Sequence, residues 1–280
     1  MDWKKAKTIL IIVFIILNIV LSVTLYNSLK VEEISQQTIT NTMNILEQNN
    51  VYIECPIPKY TGNDYTLQYE EKPLEKRQVA AVLLGDNFTE VNDYTYKNES
   101  KSLVFTSNSG FEYSDTANTK MLKSDSKEDV DKYLKDLSKK IGLPFNEFRR
   151  DDYYDKSQRH DGTIVVYKGE YKDYAVFDNY IDIKVDKGAI KSIKYQYKKP
   201  ISISVKEDIY IIPVHEILIT KMTNYPGITI KEVDMGFKGW NNKETKTSAS
   251  IASYEGLSWR IKTDNGQEYY FNARNGGMME

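Results

Sequence analysis

The chain has 280 residues, 40% of them apolar and 28% charged, with a net charge of −2 and a single cysteine. The nearly balanced charge gives no reason to expect a nucleic-acid partner. Lone Cys55 excludes an intrachain disulfide and any multi-cysteine zinc site, and its plain reading is a half-buried thiol at a strand end.

Residues 9–25 carry no charged side chain. As a helix they reach about 26 Å at about 1.5 Å per residue, enough to cross a thin hydrocarbon core. Thr8 and Tyr26 extend the run, Lys4, Lys5 and Lys7 precede it, and Trp3 sits where an interfacial aromatic belongs. The basic bias is N-terminal, which predicts a cytoplasmic tail and an extracytoplasmic remainder. A cleaved signal peptide is the competing reading, but the stretch after the apolar core is bulky where a small-x-small cleavage site is needed. The expectation is therefore an uncleaved anchor. Within it Ile11, Ile15, Asn18, Ser22 and Tyr26 recur at helical spacing and form one stripe. The plain reading of Asn18 is one tolerated polar residue. The sharper reading is a helix-contact stripe, because small, hydroxyl and amide side chains let membrane helices approach and bond.

From Val31 to Gln48 the chain can continue as a juxtamembrane helix, with Ile34, Thr38, Ile45 and Leu46 as a loose apolar face. Then VYIECPIP, YTLQYE, VAAVLLG, DYTYK, SLVFTS and FEYS read as short strands. Tyrosine outnumbers phenylalanine 22 to 9, which suits half-buried strand surfaces. Residues 126–142 read as a helix. Ser126 and Asp129 form a capping-box pattern, Val130, Tyr133, Leu134, Leu137 and Ile141 lie on one face, and Gly142 with Pro144 stops it. Strands are predicted at FRRDDYYD, TIVVYK, DYAVFDNYIDIKV and AIKSIKYQYKK. A second helix is predicted over Val205–Asn224, with Pro213 at a first-turn position or kink. Strands follow at GITIKEVDMGF, SASIAS, GLSWRIKT and QEYYFNA.

The two helix-led stretches look like a repeat. Pro144 answers to Pro226, Asp186-Lys-Gly188 to Asp264-Asn-Gly266, and Tyr167-Lys-Gly169 to Tyr254-Glu-Gly256. In the C-terminal run, Trp259, Ile261 and Thr263 alternate on one strand, Asp264-Asn-Gly266 turns tightly, and Tyr269, Phe271 and Ala273 alternate on the return.

No strong catalytic motif is present. A phosphate-binding G-x-x-x-x-G-K-[ST] loop and a G-x-G-x-x-G turn are both missing. His215-Glu216 opens like a zinc-protease motif, but Ile219 stands where the second ligand belongs. His160 reads as a turn residue. Asp151-Asp152 and Glu70-Glu71 read as solvated turn charges. Cys55 with a histidine, or a carboxylate pair, has no spacing to support it.

The opening Met1-Asp-Trp-Lys-Lys5, followed by Lys7-Thr8 and an Ile/Val/Phe run, resembles the start of the YycI family of low-GC Gram-positive bacteria. The closing SWRIKTDNGQEYYFNARNGG is similar to that family's final hairpin. The resemblance implies a membrane-anchored regulator that, with its companion YycH, controls the sensor histidine kinase WalK (YycG) of a cell-wall two-component system. It implies action without catalysis, through transmembrane helix contacts, and an outer portion of two domains similar to those of YycH.

The expectation is thus an α+β chain with an N-terminal transmembrane helix and two antiparallel-sheet-plus-helix domains related by a weak repeat. Residues 1–7 are the cytoplasmic tail, 8–26 the span, 27–49 the stalk, 50–125 a first β-rich domain and 126–280 a second α+β domain. No catalytic, metal or cofactor residues are expected. The site is the stripe Ile11, Ile15, Asn18, Ser22 and Tyr26, with WalK and YycH as partners and an extracytoplasmic ligand left open. The rival readings are an anchored cell-wall enzyme and a secreted binding module.

Overall fold

The computed structural model describes residues 3–29, 35–117, 119–151, 158–159, 162–206, 209–239 and 253–279. Helix α1 spans Trp3–Leu29 and α2 spans Gln36–Gln48. Ser35 starts α2, its Oγ accepting from the Thr38 amide at 3.1 Å, which satisfies one of the donors a helix leaves unpaired at its start. Thr42 and Leu46 are the buried residues of α2.

Strands β1 (Val51–Ile53) and β2 (Asp64–Glu70) follow. The next element corrects an expectation. Residues of VAAVLLG form a helix, α3 (Lys76–Leu84), rather than a strand. Val79, Ala80, Leu83 and Leu84 bury one face at helical spacing, and alanine favours helix over strand. Strands β3 (Thr89–Asn92), β4 (Thr95–Asn98), β5 (Lys101–Ser107) and β6 (Gly110–Asp115) then form an antiparallel meander.

Helix α4 (Lys127–Ile141) has Ser126 as its N-cap, and Gly142 ends it in the left-handed region at φ 72°. The capping box is half made. Ser126 Oγ accepts from the Asp129 amide, while the Asp129 carboxylate accepts from Ser124 rather than from Ser126. Beyond it lie β7 (Phe148–Arg150), β8 (Gln158–Arg159), β9 (Gly162–Tyr171), β10 (Tyr174–Asp186), β11 (Ala189–Gln196) and β12 (Lys199–Lys206). The second predicted helix is shorter than expected. Residues 205 and 206 end β12, and α5 runs Val214–Lys221 with Pro213 extended at its N-cap. Proline disfavours helical backbone in the residue before it, so the helix starts here. Then come β13 (Ile228–Gly239), β14 (Ser253–Thr263), β15 (Glu268–Asn272) and β16 (Met278–Met279). Most of the predicted strand SASIAS, and all of Asp152 and His160, lie outside the described residues.

The molecule is an α+β fold with five α-helices and sixteen strands among the described residues. The strands join in one mainly antiparallel sheet, ordered β12-β2-β14-β13-β10-β11-β6-β5-β4-β3 along its main path. Setting aside short β7 and β8, the orders α4-β9-β10-β11 and α5-β13-β14-β15 match. The Asp186 and Asp264 turns occupy corresponding hairpins. The Tyr167 and Tyr254 markers do not correspond, since one lies on the first strand of its unit and the other on the second.

Two hydrophobic cores lie along the sheet. The first holds Val79, Leu103, Phe111, Val130, Leu134 and Ile183. The second holds Leu46, Leu67, Leu218, Phe237, Trp259 and Phe271. Full burial of each such side chain is worth about 1.5–3 kcal/mol. Residues on both sides of position 125 share the first core, while the second gathers residues from both ends of the chain. Strand β10 belongs to both. Val176 packs in the second core, Ile181 and Ile183 in the first, and its register breaks between Val176 and Tyr180. Such a bulge bends the strand and re-aims its side chains. The direct strand link between the two halves is short, with Ala175 and Val176 paired in parallel to Gly236 and Phe237.

Candidate functional site

Two places can carry function: the open stripe of α1 and the polar seam between the cores. On α1, every described apolar side chain from Leu10 to Leu21 is more than half exposed. Ile11, Ile15, Asn18 and Ser22 are all exposed on the helix, and the side chain of Tyr26 lies outside the described set. Asn18 Nδ2 donates to the Phe14 carbonyl at 2.8 Å. The amide thus has one bond within its own helix and keeps a second N–H and its oxygen for a neighbour. No helix among the described residues is long and apolar enough to cross a membrane.

The seam centres on β14, which is buried on both faces. Leu257, Trp259 and Ile261 enter the second core, and Trp259 Nε1 donates to the Ile212 carbonyl at 2.8 Å. Arg260 and Lys262, on the alternate positions, are buried too. They sit directly across from Asp234 and Glu232 on β13. Arg260 Nε is 2.8 Å from Asp234 Oδ1 and its Nη1 is 2.7 Å from Asp151 Oδ2. Lys262 Nζ bonds Asp151 Oδ1 and lies 2.8 Å from Glu232 Oε2. The guanidinium stacks 4.8 Å from the Phe177 ring centroid.

Asp151 corrects an expectation: it is no solvated turn charge but a buried anchor for two cations. Burial pushes its carboxyl up, but Arg260 and Lys262 outweigh this and hold it below the usual range. Glu268 shows the same balance, burial raising it and Lys168 with Arg260 lowering it further. The sequence did carry a signal for the cross-strand part. Glu232 and Asp234 alternate on one strand, and Arg260 and Lys262 alternate with matching period and opposite sign on another.

Above this layer opens a cleft of about 580 Å³, lined by Arg149, Asp151, Lys168, Asp234 and Arg260 among others. Its floor is a set of mutually neutralised ions, with the Arg260 guanidinium held protonated and Asp151 held ionised. That arrangement suits rigid positioning and supplies no activated nucleophile. Cys55, packed beside the second core, has its thiol pushed up to about 11 by burial and by the Glu232 charge, the opposite of a reactive cysteine. His215 lies on α5. Among the described residues no group of three or more His, Cys, Asp and Glu is placed to hold a metal ion.

The model of the YycI protein family matches residues 29–274. The chain belongs to the YycI family. The match begins where α1 ends and covers the residues of both cores, so YycI membership rests on the body and not on the N-terminal motif. No curated protein sequence matches the chain. YycI membership suggests a membrane-associated regulator of the YycG/WalK kinase system. The sequence resemblance to the family is thereby upheld.

Proposed function

We propose that the chain is a non-enzymatic, membrane-anchored regulator of the WalK (YycG) histidine kinase, with α1 as its anchor and its body outside the cell. The observation that carries this reading is the pairing of a family-matched body with a helix whose described apolar side chains from Leu10 to Leu21 are each more than half exposed. Such side chains favour an apolar surround by about 25 cal/mol per Å², which lipid and neighbouring helices both supply. The stripe Ile11, Ile15, Asn18, Ser22 and Tyr26 faces the helices of WalK and YycH. Asn18 and Ser22 supply polar contacts worth on the order of 0.6–2 kcal/mol each. The body, divided into two domains, orients the complex or reports an extracytoplasmic ligand. A helix contact regulates the kinase only if it binds the two signalling states unequally.

The test replaces residues 8–26 with an unrelated apolar helix of equal length. Kinase output and co-purification with WalK and YycH are measured at equal expression. Loss of both supports specific helix contacts. Retention of both at wild-type level refutes them and transfers the work to the body.

A further inference from the structure

The second ionic cluster of the seam lies apart from Arg260 and is built around Glu255 on β14. Glu255 is completely buried, yet its Oε2 has no hydrogen-bond partner among the described residues. Its Oε1 is 3.3 Å from Lys198 Nζ. Lys198 lies in the crossover from β11, in the first core, to β12, beside the second. The same ammonium bonds the Tyr69 hydroxyl on β2 at 3.2 Å and lies 4.0 Å from Asp178 Oδ2 in the β10 bulge. Asp178 also accepts from the Gly239 amide at 2.9 Å and from Lys238 Nζ at 3.2 Å. Asn179, next in the bulge, clamps the crossover from both sides. It accepts from the Lys198 amide and donates to the Lys198 carbonyl.

One glycine makes this convergence feasible. A Cβ at position 239 would stand 2.8 Å from Asp178 Oδ2 and 3.9 Å from Glu255 Oε1. Two carboxylates from opposite sides of the seam therefore approach one spot that a side chain would fill. They compete for Lys198, and only Asp178 has a further lysine and a backbone amide bonded to it. When both are ionised, the poorly satisfied charge is that of Glu255.

We propose that Glu255 is a proton-operated latch between the two halves of the sheet: with a proton bound the seam closes, and with the proton lost to solvent the seam opens more readily. Burial, followed by the nearby Asp178 charge, pushes the Glu255 carboxyl up to about 7 against the pull of Lys198 and Lys238. The closed form thus holds a proton more tightly than an opened, hydrated one, whose ordinary value is about 4.3. A raised carboxyl contributes stability that is complete below the ordinary value and is lost as pH rises through about 7. The seam is the natural place for such a device, since among the described residues two paired positions of β10 and β13 link the halves by strand hydrogen bonding there.

The experiment is amide hydrogen exchange on the full chain in lipid nanodiscs between pH 6 and pH 8, corrected for intrinsic exchange. The segments followed are 175–179, 197–199 and 236–239. The opening equilibrium should increase roughly tenfold across this range in the wild type. Glu255→Gln, which mimics the protonated form, should remove the pH dependence and stay at the closed level. Asp178→Asn removes the like charge and should move the wild-type transition to lower pH. Equal pH slopes in wild type and Glu255→Gln would overturn the latch. If Glu255→Gln fails to fold, an unmoved transition in Asp178→Asn overturns it on its own.

Discussion

Arg260 and Asp151 are 109 residues apart in the chain, yet their charged groups meet at 2.7 Å with each side chain only 5% exposed. This pair ties the segment after β7, in the first half, to β14 in the second. Replacing Asp151 with alanine leaves Arg260 and Lys262 buried with less compensating charge. The expected loss is about 3–5 kcal/mol, read as a lower midpoint in urea unfolding. Because the Asp151 carboxyl is held low, its contribution is present above the ordinary aspartate value of about 3.9 and lost as pH falls below it. The wild type should therefore lose stability steeply below about pH 4, and Asp151→Ala should lose less of its own over that interval.

The β10–β11 hairpin turns through Lys187 and Gly188, both at positive φ. Gly188 has φ 80°, and a Cβ there would meet the Leu122 carbonyl oxygen at 2.6 Å. Asp125 fixes the same turn by accepting from both amides. Gly188→Ala adds a clash to an unfavourable backbone, so it should destabilise by more than about 1 kcal/mol. A fall in melting temperature of at least about 2–4 °C is expected, and an unchanged melting curve would refute the turn's role.

Burial and the Glu232 charge push the Cys55 thiol up to about 11. At pH 8 its thiolate fraction is on the order of one in a thousand, against about one in four for an ordinary thiol. Iodoacetamide should label folded Cys55 on the order of a hundredfold more slowly than a free thiol, with a rate still climbing above pH 9. Unfolding in urea should restore ordinary labelling. Fast labelling of the folded chain at pH 8 would contradict the environment described.

Asn18→Leu keeps the length and apolar character of α1 and removes one side-chain amide. Among the described residues that amide bonds Phe14 within its own helix, so unfolding of the body should be unchanged. Association with the kinase should weaken by about 1 kcal/mol, or roughly fivefold. Energy transfer between labelled α1 and kinase helices in nanodiscs would measure it. Unaltered association would leave Asn18 as a tolerated polar residue.

The sequence by itself determined what is local. Ser126 and Gly142 bracket α4 because a hydroxyl caps amides and glycine accepts positive φ. The Asp264-Asn-Gly266 hairpin and the alternation of Trp259, Ile261 and Thr263 are equally short-range, and all three alternating residues are buried. The family, too, was legible. VAAVLLG was misread because a short apolar run fits a buried strand and a buried helix alike until its packing partners are known. Only the tertiary structure decided that Asp151, Arg260, Lys262 and Glu255 are buried. A charged residue reads as solvated until an opposite charge arrives from elsewhere in the chain, and here the partners come from the segment after β7, from β13 and β14, and from the crossover at Lys198. Pairing of that kind depends on which distant strands the fold lays side by side, and that information is not held in any one segment.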